Sequence, residues 1–99
     1  MIGNQIDPAV AFGLVLRRLR KEAGFTQERL SFESNVQRNF ISLIELGQNQ
    51  PTVTTIFKLA SALRIAPSRL FEQVEFEVAT TNLKVYKKVP AEKTVKKRG

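Results

Sequence analysis

The strongest constraint on the fold is a succession of short helical periods, each opened by a capping residue and stopped before it can grow long. From Ala9 to Ala23, the apolar residues Phe12, Val15, Leu16, Leu19 and Ala23 recur at helical spacing, with Arg17, Arg18, Lys21 and Glu22 largely on other faces. Asp7-Pro8 supplies an N-cap and a first-turn proline, and Gly24 a C-terminal stop. Thr26 then caps a second helix, Gln27 to about Glu33, which turns Leu30 inward. Arg29 stands where a capping box would carry Glu or Gln. Ser34-Asn35 breaks this helix, and asparagine accepts the left-handed backbone of a tight turn.

A third helix follows, with Val36, Ile41 and Ile44 spaced for burial and Gln37, Arg38, Asn39 and Ser42 outside. It stops at Leu46-Gly47. After the polar loop Gln48-Asn49-Gln50-Pro51, Thr52 caps a fourth helix, Val53 to Leu63, with Ile56, Leu59, Ala60 and Leu63 inward. Pro67 precedes a short fifth helix, Ser68 to Glu72, carrying Leu70 and Phe71. Five short helices joined by short connections predict an all-α bundle over residues 1–73.

From Val74 the period changes to two. Val74, Phe76 and Val78 alternate with Glu75 and Glu77, and Leu83 and Val85 with Lys84 and Tyr86. Residues 74–90 read either as a β-hairpin across Ala79-Thr80-Thr81-Asn82, its apolar face resting on the bundle or a second chain, or as a frayed linker. Residues 91–99 are basic and poor in bulky apolar side chains, the composition of a disordered tail.

The 99 residues include no cysteine and no histidine, which removes disulfides, thiolate or imidazole metal ligation and every His- or Cys-based catalytic arrangement. A core this small leaves little room for a deep pocket, so no enzyme, catalytic residue, metal or cofactor is expected. No apolar run is long enough to span a bilayer, and residues 1–11 lack the pattern of a signal peptide, so the expected setting is the cytoplasm, away from membranes. The net charge of +7 implies a polyanionic partner, but it is unevenly placed. Residues 1–80 carry nine Lys/Arg against eight Asp/Glu, whereas residues 81–99 carry seven against Glu92 alone. The folded part is therefore nearly neutral, and a nucleic-acid role has to come from local pattern.

That pattern lies in Gln27–Leu46: a short helix, a tight turn around Asn35-Val36-Gln37, and a second helix set steeply to the first. An α-helix fits the major groove of B-DNA and reads base edges from its N-terminal turn. Here that turn carries Gln37, Arg38, Asn39 and, one turn on, Ser42; Arg pairs bidentately with guanine and Asn with adenine. Polar residues on a helix face ordinarily mark only a solvated surface. What sets these apart is their concentration in the first turn of the one helix preceded by a tight turn. Gln27 opens the preceding helix, where side chain and backbone N–H together meet a phosphate.

The stretch Leu16–Leu70 resembles the Cro/repressor-type, or Xre, helix-turn-helix family. The resemblance is carried by Leu19-Arg20, Gly24, Thr26-Gln27, Leu30, Val36, Ile41, Ile44-Glu45, Gly47, Pro51-Thr52 and Leu59-Ala60. It implies a five-helix lambda-repressor-like DNA-binding domain acting as a homodimer on a palindromic operator. Base-reading roles then fall to Arg38, Asn39, Ser42 and Leu43, and backbone contacts to Gln27, Gln37, Asn49 and Gln50. A structural ion pair between Arg20 and Glu45, pinning helix 1 to helix 3, is likewise implied by the resemblance alone.

The chain departs from the family pattern at Ser31, usually Ala, at Asn35, usually Gly, and at Gln37, a poorer helix cap than Ser or Thr. Leu46 stands where the family often has a polar or basic phosphate contact, which leaves part of the backbone grip to the tail. Phe40 either packs into the core or meets the DNA edge. Phe57, Ile65, Leu70 and Phe71 either close the monomer core or form the dimer surface.

Within the family the short chain and the Arg38-Asn39-Phe40-Ile41-Ser42 pattern resemble restriction–modification controller proteins, with phage Cro-like repressors and antitoxins close behind. The leading expectation is an autoregulatory, sequence-specific double-stranded DNA-binding transcription regulator. The alternative is an antitoxin that also holds a toxin through its C-terminal segment. The basic tail reads either as a non-specific nucleic-acid anchor or as a solubilising segment.

Overall fold

The computed structural model describes residues 6–86 as five helices in the order α1 (Pro8–Glu22), α2 (Gln27–Ser34), α3 (Arg38–Glu45), α4 (Val53–Ala62) and α5 (Pro67–Tyr86). Local chemistry sets most of their ends. The Asp7 carboxylate accepts the Ala9 N–H at 2.8 Å, with Pro8 in the first turn. Gly24, at φ +77°, ends α1; the Phe25 N–H reaches back to the Arg20 carbonyl at 3.0 Å. Thr26 and Thr52 cap α2 and α4, accepting the N–H groups of Arg29 and Thr55 at 2.9 and 3.1 Å. Gln37 precedes α3 without a side-chain cap bond.

Among the described residues, two left-handed positions are not glycine: Asn35 at φ 61° and Arg64 at φ 58°. Asn35 makes the sharp turn from α2 to α3, and two serines hold that turn. Ser31 Oγ donates to the Val36 carbonyl at 2.6 Å, and Ser34 Oγ accepts the Val36 N–H at 3.2 Å. The hydroxyl at Ser31, a departure from the family pattern, thus ties the turn. Because a left-handed non-glycine residue is strained by roughly 1–2 kcal/mol, Asn35→Gly should be neutral or slightly stabilising. Asn35→Ala should lower stability by about 1 kcal/mol, read from urea unfolding midpoints.

α1 packs against α3 and α5, α2 against α3 and α4, and α4 against α5. The core between them gathers Phe12, Val15 and Leu16 from α1, Leu30, Ile41 and Ile44 from the helix-turn-helix, Ile56 and Leu59 from α4, and Leu70 and Val74 from α5. Gly13 makes the α1–α3 contact close. A Cβ there would overlap the Ile44 carbonyl oxygen and lie 2.9 Å from that of Glu45.

α5 overturns one expectation. It does not stop at Glu72, and residues 74–86 form neither a hairpin nor a linker; α5 runs twenty residues to Tyr86, and no strand occurs among the described residues. Val74 and Val78 fit an alternating strand, but with Leu70 they also stand four residues apart on one helical stripe. Leu70 and Val74 are buried and Val78 packs against the core. Phe76, which the alternation grouped with them, is 69% exposed. α1 supplies the matching surface: Phe12 meets Phe71 with ring centroids 6.0 Å apart. Arg18 reaches Glu77 at 3.2 Å and Gln73 at 3.3 Å.

The candidate dimer residues also separate. Leu70 is fully buried and Ile65 packs on the core, whereas Phe57 is exposed and Phe71 nearly half so. The disordered tail expected over residues 91–99, and residues 87–90 of the proposed extension, lie outside the described residues.

Candidate nucleic-acid interface

α2, the Asn35 turn and α3 place one polar edge at the surface. Gln37, Arg38 and Asn39 are exposed at the start of α3; Ser42 and Leu43 are half-buried one turn further along. Beyond the C-terminal end of α3, Asn49 is half-buried and Gln50 exposed, and the Asn49 N–H donates to the Leu43 carbonyl at 3.3 Å. Phe40 is half-buried and packs against the core. Ile41 and Ile44, fully buried on the opposite side of α3, hold the helix down so that its polar face stays outward.

The orientation of α3 is further set by charge. Arg20 Nε donates to Glu45 Oε2 at 2.6 Å and Arg20 Nη2 to Glu45 Oε1 at 3.0 Å, a bidentate pair with side chains only 9% and 4% exposed. Arg20 Nη1 also donates to the Phe25 carbonyl at 2.9 Å, which ties the α1–α2 turn to the same guanidinium. Gln27 completes the cluster by donating its amide to Glu45 Oε1 at 3.0 Å. A single carboxylate from α3 thus gathers α1 and α2, so both helices brace this polar edge.

Gln27 stands between two shallow polar grooves. One is lined by Arg20, Thr26, Gln27, Glu28 and Arg38; the other by Arg17, Arg20, Gln27, Ser42, Glu45 and Leu46. These grooves follow the outer edge of the helix-turn-helix and suit an extended polyanion better than an enclosed small molecule. Among the described residues, no group of three His, Cys, Asp or Glu is placed to hold a metal ion. No helix among them is long and apolar enough to cross a membrane.

Sequence reasoning missed three features of this region. Gln27, expected only at the DNA backbone, is held by Glu45. Arg17, which the helical period sets only off the apolar face, lies beside Ser42 and Leu46. Gly13 sits where α1 touches α3. Only the last had a local signal: glycine in a helix interior is unfavourable by roughly 0.5–1 kcal/mol relative to alanine, so its presence there points to a close approach.

A helix-turn-helix family model matches residues 16–70, more than half of the chain. Control protein C.MunI from a Mycoplasma species is 32% identical over 72 residues, covering 72% of this chain and 97% of that protein. The crystal structure of the restriction-modification controller protein C.AhdI from Aeromonas hydrophila is 43% identical and superposes with a TM-score of 0.62, covering 64% of this chain and 96% of that one. The controller protein C.Esp1396I, solved as a tetramer in complex with its natural 35 base-pair operator, is 27% identical with a TM-score of 0.69, covering 76% and 99% of the two chains. On its turn geometry, its buried Arg20–Glu45 brace and these matches, the chain belongs to the Xre-type helix-turn-helix family.

Proposed function

We propose that this protein is a sequence-specific double-stranded DNA-binding transcription regulator of the controller type, acting as a homodimer on a palindromic operator in its own promoter. The observation that carries the reading is the exposed pair Arg38 and Asn39 on the first turn of α3, a helix anchored by the Arg20–Glu45–Gln27 cluster and the buried Ile41 and Ile44. Two copies of α3, one helical turn of DNA apart at roughly 34–36 Å, would each enter a major groove. Arg38 and Asn39 read base edges there, with Ser42 and Leu43 behind them. Gln37, the N-terminal end of α2 at Gln27, and Asn49 and Gln50 hold the phosphates on either side.

Relatives named as control proteins, one of them solved on its operator, support this assignment. The antitoxin alternative drew on a strand-like C-terminal segment, and that segment is helical as far as Tyr86. DNA regulation is therefore the single reading we retain.

Fluorescence anisotropy on the DNA upstream of the gene, beside a scrambled duplex at near-physiological salt, tests it. Arg38→Ala should lose about 1–3 kcal/mol on the specific duplex while barely changing non-specific binding. Equal losses on both duplexes would remove Arg38 as a base reader, and wild-type binding that ignores sequence would remove the function.

A further inference from the structure

Three arginines on α1 have three different fates. Arg20 is buried against Glu45, and Arg18 reaches across to Glu77 and Gln73 of α5. Arg17 is exposed and makes no ion pair among the described residues. Gly13, Arg17 and Arg20 stand four and three residues apart, so they share one stripe of the helix. Both ends of that stripe are fixed on α3: Gly13 against the Ile44 and Glu45 carbonyls, Arg20 against the Glu45 carboxylate. Arg17, between them, is thereby set beside the last turn of α3, and it lines one groove with Gln27, Ser42 and Leu46.

We infer that Arg17 is a DNA-backbone anchor, delivered from α1 to a phosphate along the strand that flanks the groove entered by α3. The inference rests on the DNA-reading function proposed above. Along this edge Gln27 and Ser42 offer only neutral hydrogen-bonding groups, and the charge of Glu45 is matched by Arg20. Leu46 is 62% exposed and offers no charge. Arg17 is the cation on this edge left without an ion-pair partner among the described residues, and a guanidinium suits a phosphate bidentately. A phosphate rather than a base is its target because α3 has eight residues, about 12 Å of helix. Arg38 and Asn39 occupy the opposite end of that length from Leu46.

The test is a salt series on a short labelled duplex of mixed sequence, which needs no knowledge of the operator. Arg17→Gln should lower the slope of log affinity against log salt by about 0.9, the amount expected for one phosphate contact. Arg17→Lys should retain the wild-type slope. Arg69→Gln, which removes an equal charge from α5 where Arg69 faces Glu72 at 3.5 Å, should leave the slope unchanged. An unchanged slope in Arg17→Gln, even with weaker binding, would overturn the anchor and leave Arg17 a structural neighbour of the α3 terminus. So would an equal fall in Arg69→Gln, which would make the effect one of net charge. On the DNA upstream of the gene, a wild-type chain with no preference over mixed sequence would instead overturn the proposed function, and the anchor with it.

Discussion

Arg20→Met is expected to destabilise the fold by about 3–5 kcal/mol, because it leaves the Glu45 carboxylate buried without its cation. The Glu45 side chain is only 4% exposed, so water cannot replace the two guanidinium bonds. Gln27 alone would remain to donate to it. At roughly 0.05–0.15 kcal/mol per residue, a domain of this size has a total stability of order 4–12 kcal/mol, so the loss is a large part of the whole. Arg20→Met combined with Glu45→Leu should recover most of it, since apolar residues of similar volume often replace a buried ion pair at little cost. Urea unfolding of the two single variants and the double variant gives the coupling directly. Single variants as stable as the wild type would show that the pair braces nothing. The double variant separates stability from aim: it should fold, yet bind operator and mixed-sequence DNA less well, because α3 has lost its tie to α1 and α2.

Gly13→Ala is the second large effect, and its sign opposes helix propensity. In a helix interior, alanine is favoured over glycine by roughly 0.5–1 kcal/mol. Here the added methyl would overlap the Ile44 carbonyl oxygen and crowd that of Glu45, both backbone atoms that cannot rotate away. Overpacking of this kind costs about 1–3 kcal/mol and prevails over propensity. At about 4–8 °C per kcal/mol for a small domain, the melting temperature should fall by on the order of 10 °C. A melting temperature at or above the wild-type value would mean that α1 and α3 sit further apart than described.

Agreement between the structure and the sequence is densest where the deciding chemistry is local. Caps and stops are local chemistry: Asp7, Thr26 and Thr52 each present a side-chain oxygen to a nearby N–H, and Gly24, Asn35 and Gly47 accept left-handed backbone. Each was legible without knowing what the helix packs on. Arg64 adopts the same left-handed angle with no residue type to announce it, and α4 ends at Ala62, one residue before the end that the period predicts. The region after Glu72 failed for a different reason. The spacing of Val74, Phe76 and Val78 satisfies a period of two, and with Leu70 it also satisfies a helical stripe, so periodicity alone could not choose.

The candidate site divides similarly. Exposure of Gln37, Arg38 and Asn39 follows from the burial of Ile41 and Ile44, which the helical period carries in plain view. Residues far apart in the chain gave no such signal. Only the family resemblance pairs Glu45 with Arg20, and neither its bond to Gln27 nor the place of Arg17 has any local mark.

By itself, then, the sequence determined four helix starts and three of their stops, the inward apolar faces and the tight turn that projects α3, because those depend on contacts within a few residues. The tertiary structure alone decided that α5 continues to Tyr86, that Gly13 lets α1 touch α3, and that Arg17, Arg20 and Gln27 converge on one edge. Those outcomes depend on which surfaces meet. Helix propensity and period are indifferent to partners, whereas burial and ion pairing exist only once the partners are in place.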